Sequence, residues 1–281
     1  MKNKTFENKI IIFSTIFVIS LICRSIVAYL YGDKFLTNEW LILVENLYHH
    51  KSLSLIKFND MFLPNLWMPP IYAYYIYIHT FFFGIGEGLV KSVIISQIFL
   101  SSITSVFFFK ILKNIFSDKI SLLGAVSFSI FPLIVYSASQ ISSITVYLFL
   151  FVFFFLTITN ILLKKKFSKY FFGLVSGLLI LTSRDFTLIY IFTLSYIFYF
   201  KFIKFKNFLI VLTVTLLTLS PYLIRNYIAF DRFIIHSGLG YNLWKAYNPE
   251  TRVEGYQNSN PKADSTRYND QSSELKLKLK K

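Results

Sequence analysis

Acidic residues between positions 31 and 83 are the first candidates for chemistry in this sequence. A carboxylate beside a substrate hydroxyl can act as a general base and accept its proton as the oxygen attacks a carbon atom. Glu39 is the leading candidate, since it closely follows the first apolar run and has bulky aromatic residues nearby. Asp33 is the nearest alternative, and Asp60 is a third. The competing interpretation is that all three are solvated loop acids.

Arginines at the ends of apolar runs are candidates for holding a phosphate, because guanidinium groups bind phosphate through paired hydrogen bonds. Arg184 has such a position, and so has Arg225, which Asn226 follows. The alternatives are a local ion pair between Arg184 and Asp185, and interfacial anchoring by Arg225. Arg24 lies inside the first apolar run, where a charge indicates a cavity or a partner. The other interpretation of Arg24 is snorkelling of its head group to the interface.

A metal site made of protein ligands alone is not predicted. His49 and His50 are adjacent, so they do not share a helix face, and no ligand-type spacing recurs in the sequence. A divalent metal that assists a carboxylate base is left open. The sequence also lacks a Gly-x-x-x-x-Gly-Lys-Ser/Thr phosphate loop, which argues against a soluble nucleotide-binding domain.

The elements that must position these residues are membrane helices. Of the 281 residues, 55% are hydrophobic and only 15% are charged, and the mean hydropathy is +0.56. Runs of about 20 apolar residues are long enough to cross ~30 Å of hydrocarbon. Much of the formal charge of +15 comes from lysines clustered between these runs, where they act as topology signals. We therefore expect membrane lipids, and no nucleic acid, as partners.

The number of membrane spans decides which side each loop faces. If the run at 71–83 does not cross, all four lysine clusters fall on one side, as the positive-inside rule requires. That run would rise only about 20 Å as a helix. We predict an all-α polytopic protein with seven spans, a cytoplasmic N-terminus, an outer loop at 31–88 and a surface helix at 71–83. Eight crossings are the alternative. The apolar runs are 10–30, 71–83, 89–109, 120–136, 141–163, 170–182, 186–200 and 208–225.

Two further patterns concern helix packing and domain organisation. Gly173 and Gly177 form a Gly-x-x-x-Gly pair, which predicts close packing against another helix. Residues 250–281 are polar and have no core-forming pattern. We therefore expect one membrane module over 1–249, followed by a disordered polar tail.

Four local motifs resemble those of a known group of enzymes. The motifs are Thr37-Asn38-Glu39-Trp40, Trp67-Met68-Pro69-Pro70-Ile71-Tyr72, Leu181-Thr182-Ser183-Arg184, and Pro221-Tyr222-Leu223-Ile224-Arg225-Asn226-Tyr227 followed by Gly240-Tyr241-Asn242-Leu243-Trp244. Together they resemble the polyprenyl-phosphate-sugar-dependent membrane glycosyltransferases of the GT-C fold group. That group includes the protein O-mannosyltransferases and the aminoarabinose transferases of lipid A. The resemblance covers residues 1–255.

The resemblance implies transfer of a sugar from a polyprenyl-phosphate donor to a hydroxyl of a lipid, glycan or protein acceptor. The reaction would take place at the outer face of a bacterial cytoplasmic (inner) membrane. Glu39 would be the catalytic acid/base. Asp33 would take the role of the Asp that the family has where this chain has Asn38. The lipid phosphate would be held by Arg184, Arg225 and Asn226, with help from Arg24.

Two departures from the family pattern shape further expectations. The glutamate that often follows serine in the fourth span of the family is missing after Ser142-Ser143. Relatives also continue with further membrane helices, so residues 250–281 are expected to be the remainder of a truncated module.

Two other functions remain open. A multi-span transporter or lipid flippase would favour ionisable groups near the bilayer midplane and paired, broken helices, whereas the candidate residues here collect near one side. A membrane scaffold without catalytic activity would need none of these carboxylates.

Overall fold

The computed structural model describes residues 2–58, 61–165 and 167–235, and 77% of these described residues are helical. The helical class predicted from the sequence is confirmed. The elements are α1 Lys2–Tyr31, α2 Asn38–His50, β1 Ser54–Phe58, β2 Met61–Pro64, α3 Pro70–Phe83, α4 Glu87–Ile115, α5 Asp118–Ile130, α6 Pro132–Ser137, α7 Ile144–Leu162, α8 Lys169–Thr182, α9 Phe186–Tyr199 and α10 Phe205–Phe230. The predicted tail at 250–281 and the motif at 240–244 lie outside the described residues.

Four helices in the described part of the chain are long and apolar enough to cross a membrane. These are α1 from Ile10, α4, α7 and α10. The helices α8 and α9 are apolar but shorter, with 14 residues each, or about 21 Å of rise. A proline at the first position of α6 separates that helix from α5, because proline cannot continue the hydrogen-bond ladder of the preceding helix. This pattern fits an integral membrane protein, while the count of seven spans stays a prediction.

The surface-helix prediction at 71–83 corresponds to α3. Pro70 occupies the first turn of that helix, where its missing N–H costs no hydrogen bond. At the other end, Gly84 and Gly86 have positive φ angles of 62° and 153°, which glycine adopts readily. These two glycines turn the chain so that α3 packs against α4. The hydroxyl of Tyr72 in α3 donates to Gln97 Oε1 in α4 at 2.6 Å.

A short antiparallel hairpin, β1–β2, was not predicted. It pairs Lys57 with Phe62 and Phe58 with Met61, and it connects α2 to α3. The sequence does carry a signal for it. Two short segments rich in apolar residues flank Asn59-Asp60, and a polar two-residue step of this kind is typical of hairpin turns.

The lysine clusters that were predicted to share one side lie together in the fold. Lys110 Nζ of α4 lies 5.2 Å from the centroid of the Phe13 ring of α1. Lys165, after α7, donates to Asn114 Oδ1 at 2.6 Å. Lys169 of α8 donates to Asn207 Oδ1 of α10 at 3.4 Å. We call this end of the helices, with Lys201 and Lys204, the lysine end. The opposite end, with Asp33, α2, the hairpin and the N-terminus of α7, is the loop end.

The helices α8 and α10 approach closely, as the glycine pair predicts. A Cβ atom added to Gly173 would lie 2.7 Å from the carbonyl oxygen of Val211, and one added to Gly177 would lie 2.6 Å from Thr218 Cβ. Thr215 Oγ1 donates to the Gly173 carbonyl at 3.1 Å. Small residues of this kind let two membrane helices make close backbone contact.

This packing predicts different effects for one substitution at two glycines. Gly177→Ala places a methyl group against Thr218, whereas a Cβ atom at Gly88 would meet Phe83 at 3.6 Å, an ordinary contact. Both changes raise helix propensity, by about 1 kcal/mol in a helix interior and by less at Gly88, the second residue of α4. We therefore expect Gly177→Ala to be less stable than Gly88→Ala by about 2 kcal/mol, measured by unfolding of the detergent-solubilised protein. Equal stability of the two variants would contradict the close packing.

Candidate functional site

Asp33 is tied to the segment that joins α6 to α7. Its backbone N–H donates to the Ser139 carbonyl at 3.1 Å. Its carboxylate Oδ2 accepts the Ile141 N–H at 2.7 Å. Gln140 Nε2 also donates to the carbonyl oxygen of Tyr31, at 2.8 Å. The carboxylate therefore lies where the C-terminal end of α1 meets the N-terminal end of α7, with one oxygen engaged by the backbone.

A buried polar network lies against Asp33. Tyr72 and Gln97 are both fully buried. The Tyr72 hydroxyl donates to Gln97 Oε1, and Gln97 Nε2 donates to the carbonyl oxygen of Gln140 at 2.8 Å. Burial raises the pKa of Tyr72, and the neighbouring Tyr75 and the Asp33 carboxylate raise it further. Tyr72 is consequently a neutral hydrogen-bond donor at physiological pH.

The hydroxyl of Ser142 adds a further polar group to this network. It is buried and has no hydrogen-bond partner among the described residues. It lies one residue after Ile141, whose N–H holds Asp33. A buried hydroxyl without a partner costs about 1–3 kcal/mol.

Glu39 lies in the first turn of α2 and is half-buried. A carboxylate at this position is favoured by the partial positive charge of the helix N-terminus. Its neighbour Trp40 packs edge-on against Tyr72, with ring centroids 4.8 Å apart. Phe35, the other aromatic residue near Glu39 in the sequence, is 67% exposed. Trp40, the residue after Glu39, and the Asp33 carboxylate therefore lie near the same buried tyrosine.

Arg184 lies in the turn between α8 and α9, also at the loop end. Phe186, two residues later, packs against Phe154 of α7 with ring centroids 4.9 Å apart. Arg184 Nε lies 3.6 Å from Asp185 Oδ1, so the ion pair considered as an alternative is present. The Asp185 side chain is 86% exposed. The Arg184 side chain is only 25% exposed, so Asp185 is the solvent-exposed member of the pair, and a phosphate could replace it.

Arg225 is engaged by protein carbonyls. Its Nη1 donates to the Asn65 carbonyl and to Asn226 Oδ1, each at 2.7 Å, and its Nη2 donates to the Leu53 carbonyl at 2.8 Å. Asn226 Nδ2 in turn donates to the Ile234 carbonyl at 2.6 Å. This pair therefore anchors the base of the hairpin to α10. Its assignment to the lipid phosphate stays a prediction, and the geometry favours a positioning role.

Arg24 does not snorkel to the interface, so that alternative is wrong. Its side chain is 0% exposed. Nε donates to Ser101 Oγ of α4 at 2.6 Å, and Nη1 donates to the Ser129 carbonyl of α5 at 2.9 Å and to both oxygens of Ser20. These partners are neutral and come from three helices. Arg24 therefore joins α1, α4 and α5. It lies about 13 Å from Asp33 along the axis of α1.

The described residues contain no group of three or more His, Cys, Asp or Glu side chains that could hold a metal ion. His50 stacks on Phe62 of the hairpin, with ring centroids 4.3 Å apart. His49 lies against Tyr48, with ring centroids 5.0 Å apart. Both histidines thus have packing contacts. Asp60, the third candidate base, lies outside the described residues.

Comparisons with protein-family models, with curated proteins and with solved structures find no match to this chain. The likeness to membrane glycosyltransferases therefore depends on the sequence motifs alone. What the chain does must be argued from the loop end itself.

The anchoring role of Arg225 predicts a large effect of a conservative substitution. Arg225→Lys retains the charge but cannot donate to Asn65, Leu53 and Asn226 together, so hydrogen bonds from a charged donor to the Asn65 and Leu53 carbonyls are lost. We expect a loss of about 3 kcal/mol in unfolding free energy, with faster hydrogen exchange at the Asn65 amide, which donates to Leu53. Lys91→Gln is the control, since it removes an exposed cation that pairs with the exposed Glu87, and it is expected to change stability by less than about 1 kcal/mol. Equal effects would refute the anchor.

Proposed function

We propose that the chain is an integral-membrane glycosyltransferase that moves a sugar from a polyprenyl-phosphate-linked donor to an acceptor hydroxyl at the outer face of the membrane. The observation that carries this proposal is that the candidate acid Asp33 lies beside the buried Tyr72, against which Trp40, the residue after Glu39, also packs. The phosphate-binding candidate Arg184 lies at the same end of the helices. The acceptor is a lipid, a glycan or a protein.

The proposed topology has seven spans: α1, α4, α5 together with α6, α7, α8, α9 and α10. The N-terminus is cytoplasmic, and α3 lies on the outer membrane surface. Support comes from the contacts that join the lysine clusters at the end opposite Asp33, since lysine-rich loops remain in the cytoplasm. The proposed location is the cytoplasmic membrane of a bacterium, and the loop end faces outward.

In the proposed reaction, Glu39 accepts the proton of the acceptor hydroxyl while its oxygen attacks the anomeric carbon of the donor sugar. The bond from that carbon to the phosphate oxygen breaks, the electron pair leaves with the polyprenyl phosphate, and the configuration at carbon inverts. Arg184 stabilises the charge on the departing phosphate. Asp33, held by the Ile141 N–H, orients a substrate hydroxyl and is the alternative base.

One observation favours the second candidate function, a transporter or lipid flippase. Arg24 is a buried cation inside the bundle with neutral partners. Ionisable groups within membrane helices often mark a translocation path. A transporter would bind the lipid-linked sugar without breaking its glycosidic bond, so a transfer assay separates the two functions.

The test is transfer of labelled sugar from polyprenyl-phosphate donors to acceptors in membranes that contain the full chain. Glu39→Gln removes the base and is expected to lower the rate by about 10²–10⁴-fold. Arg184→Gln should lower kcat through weaker stabilisation of the leaving phosphate. The control is Glu87→Gln, which removes an exposed carboxylate that pairs with Lys91 and should leave the rate within about twofold.

Three outcomes decide between the roles. Loss of sugar transfer in Glu39→Gln but not in Asp33→Asn supports Glu39 as the base. Loss of sugar transfer only in Asp33→Asn supports Asp33 as the base. Donor binding without any transfer by the wild-type chain contradicts the transferase and supports the flippase or a scaffold.

The topology is tested with single cysteines in a Cys23→Ser background. Lys34→Cys lies after α1, and Lys91→Cys lies in the first turns of α4; both positions are exposed. If α3 does not cross, a membrane-impermeant thiol reagent should label both from the outside and should not label Lys119→Cys. Labelling of residues 34 and 91 from opposite sides would mean that α3 spans the membrane.

A further inference from the structure

The lysine end holds a groove that the proposed reaction does not use. The groove has a volume of about 930 Å³ and lies between the C-terminal end of α9 and the start of α10. Its walls include Phe198, Tyr199, Phe205 and Phe208, and two lysines, Lys201 and Lys204, stand among its lining residues. A second groove of about 690 Å³ lies between α9 and α7 and shares Ser195 and Tyr199 with the first.

The aromatic lining matches a hydrocarbon chain. Phe198 and Phe208 pack against each other with centroids 4.5 Å apart, and Phe205 lies 6.3 Å from Phe208. This cluster forms a continuous apolar wall from α9 to α10. Apolar clefts with a few charged groups at one edge are typical of binding sites for amphipathic ligands.

The charge at the groove is uniformly positive. Lys201 and Lys204 are exposed, and the lining contains no acidic residue. Asp118, an acid near the lysine end, already lies 3.2 Å from Lys113 Nζ. Two lysines beside an apolar wall complement a ligand with an anionic head and an apolar tail.

The backbone adds to this positive charge. Lys204 is the N-cap of α10, so the positive end of that helix dipole lies at the same place as the two lysines. Lys201 has a positive φ of 57° and closes the turn that ends α9. The sharp turn holds Lys201 and Lys204 three residues apart on one short connection, beside the groove.

We propose that this groove binds an anionic phospholipid. Lys201 and Lys204 bind the headgroup phosphate, and one acyl chain lies along the wall formed by Phe198, Phe205 and Phe208. Basic pockets between membrane helices on the cytoplasmic side are known to bind anionic headgroups. The site is separate from Asp33 and Glu39 and does not require that the chain transfer a sugar.

The experiment is native mass spectrometry of the full chain in a non-ionic detergent. The probes are palmitoyl-oleoyl phosphatidylglycerol, which is anionic, and phosphatidylcholine with the same acyl chains, each added at the same concentration. The wild type should retain phosphatidylglycerol preferentially. The double variant Lys201→Gln/Lys204→Gln should lower the ratio of phosphatidylglycerol-bound to lipid-free protein by about tenfold.

The matched control is Lys164→Gln/Lys119→Gln. It removes two exposed lysines from the same end, and Lys164 has a positive φ of 54°, close to that of Lys201. The control should retain the lipid within about twofold of the wild type. Equal losses in both double variants, or equal retention of the two lipids by the wild type, would overturn the proposal, since either result means diffuse attraction to the lysine end.

Two further measurements distinguish a lipid-binding site from a site that binds phosphate alone. Glycerol phosphate should not displace the lipid at equal concentration, because it has no chain to fill the groove; displacement would overturn the lipid assignment. Ser195→Trp places a bulky ring where the two grooves meet and should lower lipid retention severalfold with both lysines intact. The control is Thr15→Trp, at an exposed position of α1, which should not lower lipid retention. Unchanged lipid retention in Ser195→Trp would argue against binding of an acyl chain in the groove.

Discussion

The break between α6 and α7 is the constraint on which the loop end depends. Residues 138–143 leave the regular helical ladder inside a bundle of apolar helices, where a backbone group without a partner costs several kcal/mol. Side chains from distant parts of the chain supply the partners. Gln97 donates to Gln140, and Asp33 accepts from Ile141. Asp33 therefore has a structural reason to be a carboxylate, in addition to any chemistry that it performs.

The interior of the bundle uses neutral oxygens where a soluble protein would often use an acid. Arg24 is surrounded by serine hydroxyls and carbonyls of α1, α4 and α5, and Thr215 joins α10 to α8 and to the hydroxyl of Tyr190. Such groups bind a cation or a carbonyl without bringing a second charge out of water. Arg24 is therefore paired inside the bundle without a carboxylate.

The sequence predicts local features well and distant partners poorly. Apolar runs predict the described helices except α2, and they give α5 and α6 as one run. Pro70 predicts where α3 begins, and the spacing of Gly173 and Gly177 predicts their close packing. Lysine positions correctly predict which helix ends lie together, because that signal comes from the charge of the loops.

The partners of Arg24 and Arg225 could not be predicted, since no period or motif reports them, whereas the neighbouring Asp185 was a visible partner for Arg184. Arg24 binds Ser101, 77 residues away, and Arg225 binds Leu53, 172 residues away. A serine or a backbone carbonyl carries no pattern that marks it as the partner of a particular guanidinium. For the same reason, the sequence alone suggested phosphate binding by Arg225, whereas its contacts are with the hairpin base.

The long separation between Arg225 and its partners has a consequence for biosynthesis. The hairpin leaves the ribosome early, but the residue that anchors it is made about 160–172 residues later. At about 5–20 residues per second, the hairpin waits roughly 10–30 s before α10 can be inserted. During that interval the carbonyls of Leu53 and Asn65 lack the guanidinium donor of Arg225. The loop end is thus completed only when α10, the last described helix, has been made. A chain arrested before α10 would contain the candidate acids, but its hairpin would lack the hydrogen bonds from Arg225.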